Sequence, residues 1–278
     1  MKYSVHAGLW MARWTDDIAP ILTTVADLGF DGVEISLLGM TANKPAVLGR
    51  LIRDHGLQVT CSDGLSRAAD ITSEDADIRA AGLAHLRWAI RCVAALGGRG
   101  LAGVVHTPWG LFDPANKPRR AARSAEMLAE LDADLRNHGV TLGIEALNRF
   151  ETDLANSAAE ACALARATGS DRIGVLLDTF HMNIEDKDIR AAIVGSADKL
   201  VHFHVSDNDR GVPGSGHVPW DQVKAGLRDA SYDGWIVAEM FVRTGTPAGN
   251  DLNIWRDIEP DATKAARQAL DFMRKTFG

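Results

Sequence analysis

Four residues in the C-terminal half of the chain have the types and spacing for joint chemistry. Glu145 in LGIEAL, Asp178 in GVLLDTFHMN, His204 in VHFHVSD and Glu239 in WIVAEM each lie at the end of a short aliphatic run. They are separated by 33, 26 and 35 residues, each close to one strand–helix–strand step. A lone carboxylate at a strand end is usually solvated or caps the next helix, and burying it ionised without a partner costs several kcal/mol. Four such groups in register are a different case. Carboxylates held that close repel one another, and a divalent cation resolves the repulsion. Three carboxylates and one imidazole form a hard, oxygen-rich donor set that suits Mn2+, Mg2+ or Co2+ better than a thiolate-loving metal.

Such a set works only if the fold brings the four run ends together. Eight β-branched or aliphatic runs read as strands, at 3–9, 32–36, 57–62, 101–105, 141–147, 173–177, 200–205 and 235–240. Segments of helical period alternate with them at 17–28, 45–55, 74–96, 119–138, 158–168, 187–195, 220–229 and 262–277. Thr72 with Asp75, and Ser157 with Glu160, fit capping boxes. Gly29, Gly56, Gly97, Gly139 and Gly169 follow helix candidates, where a left-handed residue ends a helix. Strict alternation implies parallel strands with right-handed crossovers. The competing architecture is an open doubly wound sheet. Eight units, with no GxGxxG after the first strand, favour an α/β fold closed as a (β/α)8 TIM barrel. Its C-terminal strand ends would gather the four residues at one face. No linker or low-complexity stretch divides the chain, so residues 1–278 read as one domain.

Composition narrows the functions further. The formal net charge is −7, which opposes nucleic-acid binding and attraction to anionic lipid. The longest apolar stretch falls short of a membrane span. Cys61, Cys92 and Cys162 are odd in number and form no CxxC, as expected of reduced thiols in the cytoplasm. The first residues, MKYSVHAGLWMARW, enter a strand-like pattern without the apolar core of a secretory signal. The expectation is a cytoplasmic protein with no nucleic-acid or membrane partner.

IEALNRFE (144–151), LLDTFHMNIE (176–185), HFHVSDNDRGVPGSG (202–216) and AEMFVRTG (238–245) closely resemble the D-tagatose/D-psicose (allulose) 3-epimerase family of xylose-isomerase-like barrels. LGFDGVE (28–34) and SEDADIRAAG (73–82) extend the resemblance over most of the chain. It implies that Glu145, Asp178, His204 and Glu239 hold the metal, Mn2+ foremost with Co2+ or Mg2+ as alternatives. It also implies that Glu145 and Glu239 are the acid/base pair, that Glu151, His181 and Arg210 bind a small sugar, and that the protein is a homodimer or homotetramer.

The chemistry so implied needs these residue types. Epimerising a ketose at C3 removes a proton alpha to the C2 carbonyl and returns one to the other face. A metal spreads the developing enediolate charge, and a carboxylate on each face can exchange the roles of base and acid. His181 and Arg210 would supply donors beside the oxygens. Considered alone, His181 could cap a loop, and Arg210 lies in a polar run typical of surface. His202 reads as a packed or hydrogen-bonded barrel residue and Glu34 as an inward residue with a structural or peripheral role. Trp10, Trp14 and Trp109 could wall a sugar pocket with their ring faces.

The sequence departs from the family pattern at the other end of that pocket. His6 replaces an aromatic residue of the first strand, CSDGLSR replaces a Gly-rich loop after the third, and HTPWG (106–110) differs in its middle. The expectation is a 3-epimerase of free ketoses of the D-tagatose, D-psicose or D-fructose type. The alternatives are an aldose–ketose isomerase, an inosose dehydratase or a 3-keto-glycoside lyase. No Gly-rich phosphate cradle follows strands seven or eight. An endonuclease-IV-like enzyme would want more histidines and a basic groove, and a sugar-binding protein without catalysis would not need two opposed carboxylates.

Overall fold

The structure, a computed structural model, describes residues 1–41 and 44–278. Its strands are β1 (Lys2–His6), β2 (Gly32–Ser36), β3 (Gln58–Leu65), β4 (Gly100–Pro108), β5 (Thr141–Glu145), β6 (Ile173–Asp178), β7 (Leu200–Val205) and β8 (Trp235–Ala238). Each pairs in parallel with the next, and β8 pairs with β1 through Lys2–Trp235 to Val5–Ala238. That last pairing closes the barrel and excludes the open sheet. The helices are α1 (Ala19–Leu28), α2 (Pro45–Asp54), α3 (Ala76–Leu96), α4 (Lys117–Ala129), α5 (Asp132–His138), α6 (Ala158–Ala167), α7 (Thr179–Glu185), α8 (Ile189–Gly195), α9 (Trp220–Asp229), α10 (Pro247–Asp251) and α11 (Ala262–Phe277). Among the described residues no helix is long and apolar enough to cross a membrane.

The strand period of two sorts the side chains. On β2, Val33 and Ile35 are buried, and the intervening Glu34 points inward to meet His202 and His204 of β7 across the barrel. Helices present the complementary stripe. Leu83, Leu86, Ile90 and Val93 of α3 are buried at spacings of three and four, which is one face of a helix. Between strands and helices lies the aliphatic core, and within the barrel lies a polar interior.

Several boundaries differ from those read in the sequence. β1 ends at His6, where the ring Nδ1 accepts the Gly8 N–H and turns residues 7–9 into a 3-10 helix. The segment 119–138 is two helices, α4 and α5. No glycine or proline marks the break, and Leu128, Leu131 and Leu135, all fully buried, carry the apolar period through it. The Ser157 cap forms as expected, with Glu160 Oε2 accepting the Asn156 N–H in return. Thr72 caps nothing. Its hydroxyl donates to Asp70, and Asp75 caps α3 by accepting from Asp77 and Ile78. α7 and α10 were not read from the sequence, being too short to show a period.

Candidate metal centre and active site

β5, β6 and β7 deliver Glu145, Asp178 and His204 at or near their C-terminal ends, and Glu239 follows β8 directly. The Asp178–His204 register sets those two side by side, and the Glu239 N–H is tied to the Val205 carbonyl. One ligand atom from each of the four lies within 4.8 Å of the others. All four side chains are buried.

Asp178 does two jobs at once. Its Oδ1 accepts the Phe180 N–H at 2.9 Å and caps α7, while Oδ2 is buried without a hydrogen-bond partner. Nδ1 of His204 is likewise without one, 3.4 Å from Glu239 Oε1. A divalent cation fits this set: it would take up both orphaned atoms and relieve three crowded carboxylates. The crowding shows in the proton equilibria. Burial raises the Asp178 and Glu145 pKa values, and the charge of Glu239 raises them further. Burial acts the same way on Glu239, but the adjoining His204 outweighs it and lowers that pKa.

A second layer of donors covers the cluster. Arg210 adopts a left-handed backbone, φ 66°, which is uncommon without glycine. That turn aims its guanidinium inward. Nη1 donates to Glu239 Oε2 at 3.1 Å and Nη2 to Glu151 Oε1 at 3.3 Å. The guanidinium stacks 4.2 Å from the Phe180 ring centroid, with Phe241 at 5.5 Å. Its surface-like sequence setting is therefore misleading: the side chain is buried. His181 Nε2 lies 3.5 Å from Glu145 Oε1. Its Nδ1 accepts the Asn148 backbone N–H, so the proton of the neutral ring sits on Nε2, facing the cluster. Burial lowers the His181 pKa, but the carboxylates of Glu151 and Glu145 reverse this and raise it. The N–H aimed at Nδ1 opposes a second proton there.

Asn148 was missed in the sequence. It holds His181 through its backbone and Glu151 through its side-chain amide at 2.9 Å. Phe180 and Phe241 were also missed. All three lie inside or beside the motifs already singled out, and only side-chain contacts reveal their roles.

Residues 22–276 match the family model for the xylose isomerase-like TIM barrel. The chain is 36% identical to the D-psicose 3-epimerase of Agrobacterium fabrum and 32% identical to the L-ribulose 3-epimerase of a Methylomonas species. Both alignments cover the whole of this chain, with 100% and 98% of the respective relatives. The crystal structure of a D-psicose 3-epimerase in the presence of D-fructose superposes with a TM-score of 0.95 at 34% identity, over the full length of both chains. The chain belongs to the ketose 3-epimerase family.

Members of this family are carbohydrate isomerases, and here a cavity of about 620 Å³ opens onto Glu145, Glu239, His181, Arg210 and Glu151. Trp14 and Trp109 line it. Trp109 Nε1 donates to Glu151 and Trp14 Nε1 to Asp251. Trp10 does not line it; its indole N–H is used by Thr263, away from the cavity. His6 also faces the cavity, with Nε2 3.0 Å from Ser62 Oγ. Because Nδ1 already accepts the Gly8 N–H, Nε2 carries the proton and donates to Ser62. The serine hydroxyl is then free to donate into the cavity.

Proposed function

We propose that this enzyme interconverts free ketoses epimeric at C3, with Glu145 and Glu239 as the acid/base pair and with Glu145, Asp178, His204 and Glu239 holding a divalent cation, Mn2+ foremost and Co2+ or Mg2+ as alternatives. The observation that carries this reading is the convergence of two buried glutamates and two aimed donors, Arg210 and His181, on one cavity. A bound divalent cation supplies Lewis-acid polarisation of the carbonyl beside the reacting carbon.

The residues of the chain do the rest. One glutamate removes the C3 proton, and the C–H electron pair moves into a C2–C3 enediolate. The other glutamate delivers a proton to C3 from the opposite face, so atoms and charge balance. Unequal surroundings suit unlike roles: His181 lies beside Glu145, whereas His204 and Arg210 lie beside Glu239. Each turnover leaves the two protonation states exchanged, and reverse turnover or exchange with water restores them. Arg210 and the Nε2–H of His181 are placed to steady the oxygens as charge builds on them. Glu151, locked by Trp109, Asn148 and Arg210, is placed to accept from a sugar hydroxyl.

The cavity supports an unphosphorylated substrate. Arg13 and Arg210 face five carboxylates there, those of Asp63, Glu145, Glu151, Glu239 and Asp251, a field that repels a phosphate dianion. A homodimer or homotetramer rests on the family resemblance, and light scattering would read it directly. The test of function is a metal-supplemented assay over free ketoses, phosphorylated ketoses and inososes, with products separated by chromatography. C3 epimers of free ketoses are expected; turnover confined to aldose–ketose pairs or to inososes would overturn the reading.

A further inference from the structure

Behind the cluster, on the side away from the cavity, Glu34 occupies the barrel interior with no exposed surface. Its Oε1 lies 2.7 Å from Nε2 of His204. Its Oε2 accepts from Thr60 Oγ1 at 2.7 Å and meets His202 Nε2 at 2.6 Å. Strand register makes this arrangement unavoidable. Glu34 stands beside Thr60 on β3, and on β7 His202 and His204 share the inward face two residues apart. Oε2 is thus held by two hydrogen bonds, while Oε1 makes a close ionic contact with His204 Nε2 that lacks hydrogen-bond geometry.

Glu34, His202 and His204 are also close enough together to suggest an ion of their own. The distances argue against it. Two ligands on one metal at bond lengths of about 2.1 Å stand roughly 3 Å or more apart, whereas these contacts are 2.6 and 2.7 Å. Contacts this short leave no room for an ion between the carboxylate and either ring.

A neutral imidazole carries one ring proton, and a carboxylate can only accept it. Glu34 therefore draws the proton of His204 to Nε2 and leaves the Nδ1 lone pair facing Glu239 and the cluster. We propose that Glu34 is a positioning residue of the metal centre, setting the tautomer and ring orientation of His204, with Thr60 and His202 fixing Glu34 in turn. Glu34 does not line the cavity, so it cannot touch a sugar; its effect reaches the reaction only through His204. The inference rests on Glu145, Asp178, His204 and Glu239 being the metal centre, and is independent of which sugar is bound.

The experiment is titration of metal-stripped protein with Mn2+, following free Mn2+ by electron paramagnetic resonance, for the wild type and Glu34→Gln. Circular dichroism and the melting temperature of each metal-free protein are recorded alongside. The wild type is expected to bind one Mn2+ per chain. Glu34→Gln is expected to keep its fold and bind about 10- to 100-fold more weakly. A purely structural role would lower the metal-free melting temperature and leave the affinity unchanged; that result overturns the proposal. Should Glu34→Gln fail to fold, Thr60→Val removes one support while keeping the carboxylate, and its affinity is expected to fall several-fold. Wild-type affinity in a folded Thr60→Val overturns the proposal, as does a second Mn2+ site lost in His202→Gln. A wild type that binds no Mn2+ overturns the metal centre itself, whereas equal binding by wild type and Glu34→Gln overturns only the role of Glu34.

Discussion

Arg210 donates through Nη1 to Oε2 of Glu239 at 3.1 Å from a backbone held at φ 66°. A residue that accepts this conformation without being glycine, and buries its charge against Asp178, Glu151 and Glu239, is placed for a purpose that a solvated arginine would not serve. Replacing it by alanine is expected to lower kcat/KM by roughly 100- to 1000-fold, the size of losing one aimed donor. The bound metal should remain. Lysine keeps the charge but loses the fork and the stacking on Phe180, so Arg210→Lys should fall between. Steady-state kinetics with metal content measured in each variant decides the matter; near-normal turnover in a metal-loaded Arg210→Ala would return Arg210 to a structural role.

Metal removal should affect stability as well as rate. A ligand that binds only the folded state adds about 2.7 kcal/mol at a hundred times its Kd. For a chain of this length that corresponds to about 5 °C in Tm. Chelation is expected to abolish turnover and lower Tm, with Mn2+ or Co2+ restoring both in calorimetry and assay.

Turnover in heavy water separates the reaction classes. Solvent deuterium is expected at C3 of the product epimer, read by NMR or mass spectrometry. Label at C1 alone would indicate an aldose–ketose isomerase. Glu145→Gln and Glu239→Gln, checked for retained metal, should each block inversion while exchanging the C3 proton of opposite epimers. The same facial preference in both would remove the opposed roles.

His6 and Ser62 present a hydroxyl to the cavity. His6→Tyr and Ser62→Ala are expected to change the ratio of kcat/KM between ketoses by ~10-fold, equivalent to about 1.4 kcal/mol, with metal content unaltered. An unchanged ranking over the sugar panel would show that this wall does not read the sugar.

Asp186 gives a pH-dependent stability effect remote from the reaction. Burial pushes its carboxyl up to about 6, and Oδ2 has no hydrogen-bond partner. A raised carboxyl pKa means that the folded state binds the proton more tightly than the unfolded one. Its destabilising effect is absent below the unfolded value of 3.8, grows as pH rises through the window to about 6, and is complete above it. The full shift corresponds to about 3 kcal/mol, and partial exposure reduces this to roughly 1–2 kcal/mol. Asp186→Asn should therefore be the more stable protein at pH 8 by that amount and equal to wild type near pH 3.5, as read from urea midpoints at each pH.

Much of this protein was legible in one dimension. Strand and helix periods repeated eight times left few architectures besides a closed barrel, and four candidate ligands at the ends of four successive strands had to meet at one face. Their convergence follows from parallel strands and equal heights, so spacing alone was sufficient. Other features depended on contacts across the barrel. The break between α4 and α5 leaves no mark because Leu128, Leu131 and Leu135 keep helical period through it. Arg210 reads as surface because a positive φ and a pair of phenylalanines 30 and 31 residues away, Phe180 and Phe241, bury what local polarity would leave in water. Glu34 reads as an ordinary inward carboxylate because its partners are 26 residues away in Thr60 and 168 away in His202. Local sequence determines which face a side chain takes, since that depends on the strand period. What the side chain meets on that face is decided by closure of the barrel, which sets β2 opposite β7 and puts Glu34 behind His204.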